Sequence, residues 1–232
     1  REVLIIDGQL RWVLDLLNGQ RVPYWLNSGT LLGLMQEGKL LEHDQDIDIS
    51  LWARHESGLQ ALLPHFKKAG YRLLSADYKG LRFQYYFSPG KGAGRRGIDI
   101  NLFRRCGEHA WCPEYYFRIQ PGGASGEKRR DGSGALRGIL RFFWRKYISL
   151  VPMRVSISSW PWRSLVNRAT WWIPAVYFDK LEFNRELGAF IPADWKGYLS
   201  LRYGDWTVPR REWVFHRDDG GLLALSPDQI PV

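Results

Sequence analysis

The chain has 232 residues, of which 45% are hydrophobic and 25% charged, with a formal net charge of +9. That length fits one large domain or two small ones, and the composition excludes a globally disordered chain. Two cysteines exclude a disulfide-rich scaffold, and no apolar run reaches the roughly 20 residues of a membrane-spanning helix. The first residue is Arg1 rather than Met, so a preceding segment is expected.

Val3 to Leu17 carries apolar residues at helical spacing, and Asn18-Gly19 ends the run. Tyr24-Trp25-Leu26 is a short apolar stretch that enters a tight turn, Asn27-Ser28-Gly29-Thr30. Leu31 to Met35 reads as one or two turns of helix. Asp46 to Leu51 alternates, with Asp46, Asp48 and Ser50 on one side and Ile47, Ile49 and Leu51 on the other, which predicts a half-buried strand. Glu56 to Ala69 predicts a helix that Pro64 kinks or shifts. Tyr71 to Leu74 and Leu81 to Phe87 predict strands, Ser88 to Arg96 a Gly-rich turn, and Ile98 to Phe103 another strand. Pro121 to Gly134 is Gly-rich and charged, which predicts a mobile loop, and Arg137 to Leu150 predicts a basic amphipathic helix. Phe178 to Gly188 and Trp195 to Tyr203 predict two more helices, with Gly188 and Gly204 as C-terminal stops. The order of elements predicts one α+β domain over 1–232, with a basic, Trp-rich insertion or lid at about 123–176.

The positive charge concentrates in that insertion. Between Glu127 and Arg168 stand ten basic residues, opposed only by Glu127 and Asp131. Trp144, Trp160, Trp162, Trp171 and Trp172 lie in or just beyond the same stretch. Arg beside Trp suits an anionic lipid surface, so 127–172 is expected to dock the chain on a membrane. The bland alternative is a basic surface helix whose Trp residues are core. Nucleic acid selects similar residues and is the less favoured partner.

The strongest chemical signal is His43-Asp44-Gln45-Asp46-Ile47-Asp48-Ile49. Residues two apart on a strand share a face at roughly 6.5–7 Å, so Asp46 and Asp48 converge and repel. A divalent cation relieves that repulsion, and hard oxygen ligands suit Mg2+ or Mn2+. Gly97-Ile98-Asp99-Ile100 repeats the plan and supplies a third carboxylate if its strand lies beside the first. Three carboxylates below a Gly-Thr turn form a metal-assisted phosphoryl-transfer site, in which backbone N–H groups and the Thr30 hydroxyl hold phosphates. The alternative is a solvated strand face.

At these residues the sequence resembles the LicD/fukutin family of nucleotidyltransferase-like phosphotransferases. The likeness runs through Tyr24 to Gly33, Asp44 to Asp48 and Gly97 to Ile100, and ends at Leu201-Arg202-Tyr203-Gly204-Asp205-Trp206 with Pro209. The resemblance implies a polymerase-β-type mixed sheet flanked by helices. It implies transfer of a phospho-alcohol, such as ribitol phosphate or phosphocholine, from a CDP-linked donor to a hydroxyl of a cell-surface or lipid-linked glycan. By position, Asp46, Asp48 and Asp99 are the catalytic and metal-binding residues, with Asp99 as ligand or proton acceptor. Ser28, Gly29 and Thr30 hold the donor phosphates, and Tyr203, Gly204 and Asp205 border the donor or acceptor pocket. The family commonly has Arg where Gln36 stands, and Lys39, Arg82 or an Arg of the insertion is expected to replace it.

Rival readings are a nucleotidyltransferase that uses an NTP and releases pyrophosphate, and a membrane- or nucleic-acid-binding module with a vestigial site. Cys106, His109 and Cys112 offer three zinc ligands, against a hairpin with two free thiols. His43 and His216 are candidates to touch substrate, while Asp218-Asp219 reads as a solvated turn. Two thiols and the basic patch point to the cytoplasmic face of a membrane; work inside the secretory pathway by fukutin-like proteins keeps the lumen open. The sequence leaves the oligomeric state open.

Overall fold

The computed structural model describes residues 7–90, 94–117, 154–156, 166–210 and 213–223. Asp7 caps helix α1 (Gly8–Gly19) by accepting from the amides of Gln9 and Leu10. Leu10, Val13, Leu14 and Leu17 form its buried stripe. The first part of the expected helix, residues 1–6, lies outside the described residues. Strand β1 (Trp25–Leu26) leads directly into helix α2 (Ser28–Gln36), so the Ser-Gly-Thr turn is the first turn of that helix. Strand β2 (Asp46–Trp52) follows, then a 3-10 turn at Ala53–His55 and helix α3 (Glu56–Lys68) with Pro64 inside it. Strands β3 (Arg72–Tyr78) and β4 (Leu81–Ser88) form a hairpin, as do β5 (Gly97–Cys106) and β6 (His109–Phe117).

Beyond these come strand β7 (Arg154–Ser156), strand β8 (Val166–Pro174), a single helical turn α4 (Val176–Asp179), and the hairpin of β9 (Leu181–Asn184) and β10 (Ala189–Pro192). Helix α5 (Trp195–Tyr203) is capped by Asp194 and stopped by Gly204 at φ +68, as the sequence predicts. A short turn α6 (Phe215–Asp218) and strand β11 (Leu222–Leu223) complete the described chain.

Nine strands make one mixed sheet in the order β11-β8-β6-β5-β4-β3-β7, and β2 joins at β5 with β1 on its far side. Strand β5 is the branch point. Residues 97–103 of β5 run parallel to β2, 98–101 pair antiparallel with β4, and 104–106 pair with β6. One face is core: Ile47, Ile49, Ile98, Ile100 and Leu102 are fully buried. Helix α3 packs on this sheet through Phe66, stacked on Phe87 of β4 at 3.9 Å, and α1 packs on α3 through Trp12 against Phe66. A second aromatic group ties β1 to α4 and α5: Trp25 stacks on Phe178 at 4.4 Å, and Tyr198 meets Phe178 edge-on.

Two expectations are corrected here. The helix predicted over Phe178 to Gly188 is one helical turn followed by a hairpin. Leu181 to Asn184 pairs antiparallel with Ala189 to Pro192. The turn is closed by Asn184, whose side chain accepts from the Leu187 amide, and by Gly188 at φ +65. Gly188 thus serves a turn and not a helix end. The insertion placed at 123–176 also ends earlier than expected, because 166–174 is an integral strand paired with β6 along its length. Trp171 is buried there and Trp172 stacks on His109 at 4.6 Å, so both are packed against the sheet. The predicted loop at 121–134, the predicted helix at 137–150 and most of the basic segment lie outside the described residues. Among the described residues no helix is long and apolar enough to cross a membrane.

Candidate active site

The parallel pairing of β2 and β5 sets Asp48 directly beside Asp99. Alternation along each strand then sends the flanking Ile residues to the core and the carboxylates to the other face. Asp46 stands two residues before Asp48 on that face. Asp44, just upstream of β2, completes a group in which one ligand oxygen each of Asp44, Asp46 and Asp48 lie within 4.8 Å of one another. All four acids line one cleft of about 850 Å3, bounded by the start of α2, the 203–210 segment and Glu114.

Burial is the main force on these acids. It pushes Asp46 up to about 7, helped by a hydrogen bond and charge from Asp44. It pushes Asp48 well above the usual carboxylate range, with the charges of Asp46, Asp44 and Asp99 adding to it and Arg202 opposing. Asp99 is also pushed well up by burial, then by Asp46 and Glu114, while a hydrogen bond from Gln84 opposes. Gln84 donates to Asp99 Oδ2 at 2.8 Å, whereas buried Oδ1 has no hydrogen-bond partner among the described residues. The donor set is all oxygen, one buried oxygen is orphaned, and the backbone of Gly29 presses close to Asp44. A Cβ on Gly29 would stand 2.2 Å from Asp44 Oδ2 and 3.5 Å from Asp48 Oδ2. These residues fit a hard divalent cation.

The turn before α2 is held from behind. Asn27 is buried, donates to Ser50 Oγ at 2.8 Å, and its amide donates to the Asp48 carbonyl. Ser28 has φ +44, a left-handed conformation uncommon for a residue with a side chain. Ser28 and Gly29 both line the cleft. Thr30 does not: it is buried, and its hydroxyl accepts from the Asp48 amide at 2.8 Å. Thr30 therefore holds β2 against α2 from behind the cleft wall.

His43, Tyr203 and Asp205 line the cleft, with His43 exposed on the loop before β2. Gly204 stands back as the helix stop, and Asp205 accepts from the amide and hydroxyl of Thr207. His216 lies on α6 against Phe215; the cleft wall there is Phe215.

The zinc alternative at Cys106, His109 and Cys112 is corrected. Cys106 and His109 face each other across a hairpin turn, and Cys112 lies three residues along β6, on the opposite face from His109. Cys112 is buried, its thiol donates to the Phe83 carbonyl, and burial pushes it well up, so it stays a thiol. Among the described residues the acidic cluster is the group able to hold a metal.

Several residues were missed from sequence. Asp44 has the same two-residue spacing from Asp46 that singled out Asp48, and that signal was available. Asp219, expected to be solvated, is buried and bound to Arg202. Arg202 is buried with it, stacks its guanidinium 4.1 Å from the Trp171 ring centroid, and donates to Ser28 Oγ. Trp171 in turn donates its indole N–H to Glu114. Neither Lys39 nor Arg82 serves as the cation expected near position 36. Lys39 pairs with Glu42, and Arg82 with Asp77. Gln36 itself donates to the Trp206 carbonyl, tying α2 to the 203–210 segment.

The site is thus a set of acids on adjacent parallel strands of a mixed sheet flanked by helices, facing a Ser-Gly turn in an α+β fold. Residues 21–104 match the family model described as LicD/FKTN/FKRP, nucleotidyltransferase domain. The chain is 39% identical over 59 residues to an uncharacterised protein of Rickettsia typhi, a stretch that is 25% of this chain and 19% of that protein. A Rickettsia prowazekii protein, also uncharacterised, is 39% identical over 57 residues, covering 25% of this chain and 21% of its own. The chain thus spans about a fifth of the length of these curated relatives. Among solved structures it is similar to ANT(2")-Ia in complex with adenylyl-2"-tobramycin, at TM-score 0.32 and 15% identity over 45% of this chain and 55% of that one. The solution structure of the same factor gives TM-score 0.31 and 16% identity over 44% and 50%.

Proposed function

We propose that the chain transfers a phospho-alcohol group, such as ribitol phosphate or phosphocholine, from a CDP-linked donor to a hydroxyl of a cell-surface or lipid-linked glycan. The observation that carries this reading is the register that seats Asp48 beside Asp99, with Asp46 and Asp44 clustered next to them, in a cleft walled by Ser28 and Gly29. Asp44, Asp46 and Asp48 hold a divalent cation, Mg2+ or Mn2+, which when bound offsets the negative charge of the diphosphate. Ser28 and the amides of the first α2 turn bind the phosphates. The acceptor oxygen attacks the phosphorus that carries the alcohol. The bond from that phosphorus to the bridging oxygen breaks, and CMP leaves. Asp99, whose Oδ1 has no protein partner among the described residues, takes the proton of the acceptor hydroxyl. Docking of the basic segment that precedes β8 on an anionic membrane surface belongs to the same proposal, since it would bring the cleft to a lipid-linked acceptor.

The test is a thermal-shift screen of CDP-alcohols with and without Mg2+, followed by product analysis. A ligand at about 100 times its Kd adds about 2.7 kcal/mol of stability. Release of CMP supports the proposal; release of pyrophosphate from an NTP replaces it with nucleotidyl transfer. Asp48→Asn is expected to lose turnover while remaining folded, and full activity in that variant ends the proposal.

A further inference from the structure

Arg202 is only 2% exposed, yet it forms part of the cleft wall. Two neighbours fix its guanidinium. Asp219, itself buried, accepts from Nε at 3.0 Å and from Nη2 at 2.6 Å. The Trp171 ring lies against the guanidinium at 4.1 Å. Nη1 is then aimed at three oxygens: Ser28 Oγ at 2.8 Å, Tyr198 Oη at 3.0 Å and Asn27 Oδ1 at 3.3 Å. A buried ion pair that served stability alone would not need a bond to a residue at φ +44 on the cleft surface.

Hydroxyl chemistry supplies the next step. A serine oxygen has two lone pairs and one proton. With a lone pair occupied by a charged donor, the proton remains free to donate, and a charge-assisted bond strengthens that donation. Ser28 lines the same cleft as the acids, on the same helical turn as Gly29.

We propose that Arg202 is a positioning residue for diphosphate binding: locked by Asp219 and Trp171, its Nη1 holds Ser28 so that the serine hydroxyl donates to a phosphate oxygen of a nucleoside diphosphate. The inference rests on the reading of the cleft as a CDP-donor site. It joins the C-terminal part of the chain, through Arg202 and Asp219, to the N-terminal phosphate turn. A lysine keeps the charge but lacks the planar fork that reaches Asp219 and Ser28 together.

The test is calorimetric titration, in the presence of Mg2+, of the full chain and of Ser28→Ala, Arg202→Lys and the double variant. The probes are CDP, inorganic pyrophosphate and cytidine. Each single variant is expected to bind CDP and pyrophosphate about tenfold more weakly while cytidine affinity is unchanged. The double variant is expected to be no weaker than Ser28→Ala, because both changes remove one hydrogen bond. Additive losses, or equal losses on CDP and cytidine, overturn the inference. Ser28→Ala, at a partly exposed position, keeps the test decisive if Arg202→Lys does not fold: CDP affinity unchanged in that variant also overturns it. Pyrophosphate binding that depends on Ser28 but shows no preference for CDP removes the CDP-donor reading and leaves the inference standing. CDP binding indifferent to Ser28 does the reverse, and a chain that binds neither probe overturns both.

Discussion

Replacing Gly29 by Ala separates the metal cluster from the fold that carries it. The added Cβ would stand 2.2 Å from Asp44 Oδ2 and 3.3 Å from Asp44 Cγ. Carbon–oxygen contacts settle at about 3.3–3.6 Å, so the carboxylate oxygen must retreat by more than about 1 Å. Metal ligands tolerate about 0.2 Å of displacement, so Asp44 leaves the group that it forms with Asp46 and Asp48. The backbone does not resist the change: Gly29 is helical and not in the left-handed region. Alanine inside a helix gains about 0.5–1 kcal/mol over glycine, and the clash is with the end of a rotatable side chain. Stability is therefore expected to change by less than about 1 kcal/mol, a Tm shift of about 2–4 °C. Mn2+ and Mg2+ affinity, measured by calorimetry, is expected to fall at least tenfold, about the range seen when support to a ligand is lost. A Gly29→Ala protein that is folded and binds these ions as tightly as the parent refutes Asp44 as a ligand.

Two further outcomes follow from burial. Asp46 titrates at about 7 in the folded chain, against an ordinary value of 3.8. Between those values the folded state holds more protons than the unfolded one. The stability this group allows is thus fully present below about pH 4 and is lost as pH rises through about 7. Divalent ions compete with those protons, so the Tm gain from Mg2+ should grow from pH 5 to pH 8. An equal gain at both pH values sinks this account. Trp25 is fully buried and stacked on Phe178 at 4.4 Å, so Trp25→Ala is expected to cost about 3–5 kcal/mol in urea unfolding. Trp25→Phe should cost less, since the indole N–H has no acceptor to lose among the described residues; a larger loss for Phe than for Ala would contradict the packing argument.

What could be read from the sequence followed from local periodicity. Asp46 to Leu51 alternates because the sheet buries one face only, and that alternation placed Asp46 and Asp48 before any pairing was known. The parallel register that seats Asp99 beside Asp48 depends on a connection of more than forty residues, and no local pattern encodes it. The hairpin at 181–192 was misread because Gly188, which closes its turn, is also the residue that commonly stops a helix. Asp219 looked solvated because a doublet of acids next to two glycines usually is. Its partner lies 17 residues away, on α5, where only the folded chain brings it close.

The acids of the cleft are a cost to the fold, and Asp48→Asn measures that cost. Asp48 is pressed by burial and by three neighbouring carboxylates, with Arg202 alone among the named causes pulling the other way. Such an arrangement is kept by what it binds, since like charges at contact destabilise the empty protein. Asparagine keeps the shape and removes the charge. In the absence of divalent ions, Asp48→Asn is expected to raise stability by about 1–2 kcal/mol at pH 8. The gain should shrink as pH falls, because burial and the neighbouring carboxylates push the Asp48 carboxyl toward its neutral form. Addition of Mg2+ should reverse the order at pH 8, because the parent gains stability from the ion and the variant does not. Paired urea unfolding curves with and without Mg2+ give all of these values. If Asp48→Asn is less stable than the parent at pH 8 without metal, the carboxylate is a structural support, and the reading of this cleft as a metal-assisted transferase site fails at its central residue.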